Sequence, residues 1–132
     1  MGAWGNRNFE NDQAMDFVGG FTANPSLKSL DEALATVIEQ GEEEEYIEVE
    51  EACAALAAAE ILAATLAKPA PDFPQELQPV LATIQLNATL QKKARKAVKQ
   101  IVKGSELQEL WAESGDLEEW LAIQTDLLER LK

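Results

Sequence analysis

Residues 48–67, EVEEACAALAAAEILAATLA, constrain the fold more than any other stretch. Nine of the twenty are alanine, and neither glycine nor proline occurs before Pro69. Alanine gives up no side-chain entropy in a helix, so the whole span is predicted helical. From Ala52 to Ala67 the helix is apolar on every side apart from Glu60 and Thr65, and a helix that is apolar all round must be covered all round. It is therefore expected to run through the middle of the fold, its small side chains letting neighbouring helices come close. At 100° per residue Cys53, Leu56, Glu60, Ala64 and Ala67 share one stripe. An ionised carboxylate in such a place costs several kcal/mol unless compensated, so Glu60 must be protonated, paired or at the edge of the bundle.

The remaining chain supplies the cover. Asn11 is a good N-cap, Asp12 in the following turn meets the positive end of the helix dipole, and Ala14, Met15, Phe17 and Val18 form an apolar face that Gly19-Gly20 is expected to end. Ser29-Leu30-Asp31-Glu32 fits a capping box, with Leu27, Leu30, Ala33, Leu34, Val37 and Ile38 at helical spacing up to Gly41. Glu42–Glu45 repel one another and stay wet. Pro69, Pro71 and Pro74 make a stiff loop; Leu77, Val80, Leu81 and Ile84 supply a short apolar face after it. Asn87 caps a helix with Leu90, Ala94, Ala97, Val98 and Ile101 inward, ending at Gly104. Ser105 with Gln108 opens a helix presenting Leu107, Leu110 and Trp111. Asp116 with Glu119 opens the last, whose Leu117, Trp120, Leu121, Gln124, Leu128 and Leu131 form one seam. No segment alternates with period two. The expectation is an all-α, single-domain helical bundle over residues 1–132, of about six or seven helices around the rod at 48–67.

The opening MGAWGNRNFENDQAMDFV concentrates unusual residues. Trp4 between Gly2 and Gly5 suits a tight turn that inserts one ring into a pocket. Glu60 then has natural donors here, through Arg7, the Trp4 indole N–H or the amides around residues 2–5, and a structural staple between Glu60 and this leader is expected. The motifs MGAWG at 1–5, FENDxAxD at 9–16, AAAEILAA at 57–64 and SELQELW at 105–111 together resemble a family of small, mostly bacterial proteins defined as a domain of unknown function. That resemblance covers nearly the whole chain and implies neither an activity nor catalytic residues; Asn6-Arg7-Asn8 stands where such proteins more often carry small residues.

Composition removes several chemistries. There is no histidine, hence no ordinary acid–base group near neutral pH and no histidine-dependent triad. Cys53, the single cysteine, lies in the alanine helix and reads as a buried, inert thiol. No apolar run reaches the length of a membrane span, and the N-terminus lacks the basic-then-apolar order of a secretory signal, so a cytoplasmic location is expected. A net charge of −13 argues against nucleic acid and anionic membrane as partners. The charge is uneven, because residues 92–103 carry six bases and no acid. Lys92, Lys93, Arg95, Lys96, Lys99 and Lys103, with no interleaved aromatic, read as a solvated counter-charge.

Two carboxylate groupings have the composition of a metal site. Glu44-Glu45-Tyr46-Ile47-Glu48 has the EExxE spacing with which all-α nucleotide pyrophosphatases hold magnesium, but the matching Glu-x-x-Asp exists only as Glu113-Ser114-Gly115-Asp116, across a turn. Asp12 and Asp16 share a helix face with Glu10 near, without a loop of ligand spacing. Glu60 stands alone. No cofactor is expected. The function these residues suggest is a non-enzymatic protein-binding module, an antidote- or immunity-like binder of a basic partner, with Trp111 and Trp120 as contact residues if exposed. The alternatives are a carboxylate–magnesium hydrolase using Glu44, Glu45, Glu48 and Glu60, and a homo-oligomer joined through the seam at 117–131.

Overall fold

The computed structural model describes residues 3–132 and contains, among them, seven α-helices and no β-strand. These are α1 (Asp12–Ala23), α2 (Leu27–Glu42), α3 (Val49–Thr65), α4 (Gln78–Leu81, entered through a 3₁₀ turn at Gln75–Leu77), α5 (Ala88–Lys103), α6 (Glu106–Ser114) and α7 (Leu117–Arg130). The alanine rod is α3, and it touches all six other helices. Twelve of its seventeen residues are buried, Glu60 among them. Helices α2 and α5 lie against it and against each other. At Gly41 they come so close that a Cβ would collide with the Gln100 side chain.

Several helix ends differ from the sequence expectation, each for a local reason. Helix α1 runs through Gly19-Gly20 to Ala23. Two helical glycines cost about 1–2 kcal/mol, whereas burying Phe21, which is 2% exposed, contributes about 1.5–3 kcal/mol, so packing wins. Helix α2 begins at Leu27 because Ser26, not Ser29, is its N-cap: the Ser26 hydroxyl accepts from the Ser29 amide at 3.1 Å. The rod stops at Thr65 rather than Ala67. Ala67 adopts a left-handed φ of 62°, and the amides of Ala67 and Lys68 return to the carbonyls of Ala64 and Ala63, closing the last turn. Asp116 makes no capping bond to α7; its carboxylate accepts from the Ser114 hydroxyl at 3.3 Å instead. The caps at Asn11, Asn87 and Ser105 are present as expected.

The seam on α7 faces inward. Of its six residues, Trp120, Gln124 and Leu131 are buried in the chain's own core, while Leu117, Leu121 and Leu128 are partly buried against it. No helix of the described residues is long and apolar enough to cross a membrane.

Candidate functional site

The leader folds back on itself before α1. Ala3 bridges Asn11, the Trp4 amide donates to the Glu10 carbonyl at 3.0 Å, and the Arg7 carbonyl accepts from the Glu10 amide at 3.0 Å. The Glu10 carboxylate closes the loop by accepting from the Arg7 amide at 3.1 Å. Such a loop has an inside and an outside. Asn8 and Phe9 point inward and are buried; Trp4 points outward and is 61% exposed. Phe9 meets Phe73 edge-on at 5.7 Å, and its amide donates to Asp72 at 3.1 Å.

Asn8 reaches Glu60. Its Nδ2 donates to Glu60 Oε2 at 2.8 Å and to Gln124 Oε1 at 3.0 Å, while Gln124 Nε2 donates back to Asn8 Oδ1 at 2.8 Å. From the other side Arg130 grips the same carboxylate, Nη1 to Oε1 at 2.7 Å and Nη2 to Oε2 at 3.2 Å. Arg130 also donates to Asp126 and to the Lys68 carbonyl. Burial works against the Arg130 charge, but hydrogen bonding to Glu60 and the charge of that carboxylate, followed by Asp126, more than offset it and raise its pKa. Glu60 is thus the centre of a closed polar knot tying the leader and α7 to the rod.

The staple between Glu60 and the leader therefore exists, but with different donors. Trp4 is a surface residue, not a pocket insert, and Arg7 contributes its backbone rather than its guanidinium to the loop's bonds. Amides of residues 1 and 2 lie outside the described residues. Asn8, Gln124 and Arg130 are the partners that sequence spacing did not single out. Arg130 carried the one usable signal, a cation in the last turn of a helix and flanking its apolar seam.

A second feature lies around α6. The loop between α2 and α3 is hydrogen-bonded to it: the Glu106 amide donates to the Ile47 carbonyl at 2.8 Å, Glu106 accepts from the Val49 amide, and the Tyr46 hydroxyl donates to Glu109 at 2.6 Å. Tyr46 is 56% exposed, and it and Trp4 are the exposed large hydrophobic residues among the described ones. Hydrogen bonding to Glu109, then desolvation and the charges of Glu109, Glu106 and Glu113, push the Tyr46 phenol up to about 12. In the same loop Glu43 is held above its usual range by a hydrogen bond with Glu45 and by the charges of Glu45 and Glu42. On the other flank of α6, Ala3 and Gly5 line a tight crevice with Leu107, Trp111 and Trp120, and Asn6 Nδ2 donates to Glu119 at 3.2 Å. Trp120 is 1% exposed and serves the core; Trp111 is partly buried against it.

The carboxylate groupings do not assemble. Glu44, Glu45 and Glu48 are exposed on the loop, Asp12 and Asp16 are exposed on α1, and Glu10 is turned into the leader. Among the described residues, no three His, Cys, Asp or Glu side chains gather as a group able to hold a metal. Cys53 is buried, and desolvation pushes its thiol up to about 12, away from nucleophilic character.

Residues 2–122 match the domain of unknown function family DUF4259, and the chain belongs to that family. Neither a curated protein nor a solved structure matches it.

Proposed function

We propose that this chain is a non-enzymatic protein-binding module that offers Trp4 and Tyr46, on an acidic face centred on α6, to a basic partner protein. The observation that carries this reading is the placement of those two side chains. Large aromatic residues are normally covered, and here two stand exposed on separate segments that both pack against α6. Glu109 accepts from the Tyr46 hydroxyl, Glu119 accepts from Asn6 two residues after Trp4, and Glu113, Asp116 and Glu118 are exposed in the same stretch of chain. Aromatic anchors on an acidic surface suit a partner whose own surface carries Lys and Arg, and a net charge of −13 steers such a partner in from a distance. Carboxylates so arranged also imitate nucleic-acid phosphate, which is the electrostatic basis for an antidote- or immunity-like role toward a basic protein.

The test is affinity capture from the native host with the wild-type chain, Trp4→Ala, Tyr46→Ala, and Glu109→Gln with Glu113→Gln. The wild type should retain a basic protein that elutes as salt rises, and each variant should retain less. A partner that is acidic, or retention indifferent to both aromatic substitutions, overturns the reading.

A further inference from the structure

We propose that the exposed face of α5 is a binding site for a short phosphate chain, the chemistry shared by inorganic tripolyphosphate and nucleoside triphosphates. Sequence spacing alone favours a solvated face; the shape and pairing of its side chains alter the balance. Helix α5 lays Thr89, Lys92, Lys96, Lys99 and Lys103 along one line, about 21 Å from first to last at 1.5 Å per residue. Lys93 pairs with Asp31 and Lys96 with Glu42, each at 2.7 Å. Among the described residues Lys92, Lys99 and Lys103 have no ion-pair partner, and all three are exposed. An open depression of about 500 Å³ lies among the side chains of Thr89, Lys92, Lys93, Arg95, Lys96 and Lys99, all on α5. It adjoins a second, of about 410 Å³, where Lys28 and Asn87 join Thr89 and Lys93, and where the Asp31 carboxylate is already paired with Lys93.

Like charges gathered on one helix face repel, and two acids in cis leave most of that repulsion in place; a multiply charged oxyanion relieves it. Ligand class and length follow from what surrounds the lysines. No aromatic side chain lines either groove, so there is no platform for a nucleobase and the phosphate chain alone is read. Beyond the line the molecule is acidic, and with charges screened over about 8 Å a long polyanion is repelled at both ends while a compact one is not. The lysine line shares no residue with the aromatic pair or its acidic neighbours, so the inference stands or falls apart from the partner reading.

Calorimetric titration with tripolyphosphate, magnesium-free and at about 50 mM salt, is the experiment, because screening is weak there. One saturable site is expected, weaker as salt rises, with orthophosphate and sulfate binding less tightly. Lys92→Gln combined with Lys99→Gln should weaken binding about tenfold. A nucleoside triphosphate bound as tightly as tripolyphosphate supports the phosphate chain as the group recognised; one bound more tightly needs contacts to the nucleoside and overturns that assignment. Absence of saturable binding, binding undiminished in the double variant, sulfate as tight as tripolyphosphate, or a single-stranded oligonucleotide bound more tightly than either would each overturn the inference. Circular dichroism confirms the fold of the variants, whose substituted side chains are all on the surface.

Discussion

Replacing Arg130 by Leu removes the guanidinium from Glu60 and leaves a carboxylate that is 1% exposed with only the Asn8 amide as donor. Two charge-assisted bonds, of 2.7 and 3.2 Å, are lost. Removing one partner of a buried ion pair costs about 3–5 kcal/mol, and because the Arg130 side chain is 14% exposed water can enter as it leaves, so about 3 kcal/mol is expected. The reciprocal change is milder. In Glu60→Gln the guanidinium keeps Asp126 at 2.7 Å and reaches solvent, so a loss of about 1–2 kcal/mol follows. Changing both, Glu60→Leu with Arg130→Leu, deletes the charges together, leaves Asn8 its bonds to Gln124, and should return stability to within about 1 kcal/mol of the wild type. Urea unfolding followed by tryptophan fluorescence reads all three. With a slope of about 1.5 kcal/mol per molar, Arg130→Leu moves the midpoint down by about 2 M. An Arg130→Leu midpoint close to that of the wild type, or a double variant as unstable as Arg130→Leu, refutes the argument that an orphaned buried charge dominates.

Asn8→Ala strips both amide ends of Gln124, which is 0% exposed, and should cost about 2–3 kcal/mol; Asn8→Asp sets a second carboxylate against Glu60 and should cost more, and the same urea series shows whether it does. Tyr46 is the single tyrosine, so its phenolate absorbance in an alkaline titration is unambiguous. Its midpoint, about 12 in the wild type, should fall toward 10.0 in Glu109→Gln, because the lost acceptor and charge had favoured the protonated phenol; any stability from this contact is full below pH 10.0 and fades toward 12, and an unmoved midpoint denies the contact. Gly19→Ala and Gly20→Ala lie inside α1 with nothing within 4 Å of the added Cβ, and each should stabilise by about 0.5–1 kcal/mol. Ala67→Gly, which relieves a left-handed alanine, should stabilise by about 1 kcal/mol, so a lower melting temperature in any of the three contradicts the backbone reasoning.

The rod was legible because its signal is additive: helix propensity and all-round apolarity accumulate over seventeen residues, and no single contact decides them. Caps at Asn11, Asn87 and Ser105 were legible because each is a bond between residues three apart. What escaped were choices between two close local options settled by distant packing. Ser26 and Ser29 are equally good caps in isolation, and Phe21 alone carries α1 past its glycines. The polar knot was half legible. Burial of Glu60 follows from the pattern around it, and a donor from the leader follows from need, but residues 8, 60, 124 and 130 are brought together by the packing of three separate elements. Nothing in their spacing distinguishes Asn8 from Asn6 or Arg7. The exposure of Trp4 departs from the sequence expectation for a related reason: a ring between flexible residues is equally suited to a pocket or to a tip, and it is the inward turn of Asn8 and Phe9 that sends it outward.

An alanine rod has a weakness that the knot answers. Large side chains interdigitate and so fix how far one helix is advanced along another, whereas a surface of methyl groups is nearly smooth, and a neighbour displaced by one residue's rise of about 1.5 Å loses little packing. Hydrogen bonds of 2.7–2.8 Å do not survive such a displacement. Because Glu60 is held from the leader by Asn8 and from α7 by Arg130, one carboxylate specifies the register of both ends of the chain on the rod, which apolar residues of equal volume would not do even where they equal it in stability. The consequence reaches the surface. Asn8, seated on Glu60, belongs to the same leader whose Ala3 and Gly5 line the crevice beside Trp111, so a charge at the centre of the molecule helps to hold the segment that carries Trp4.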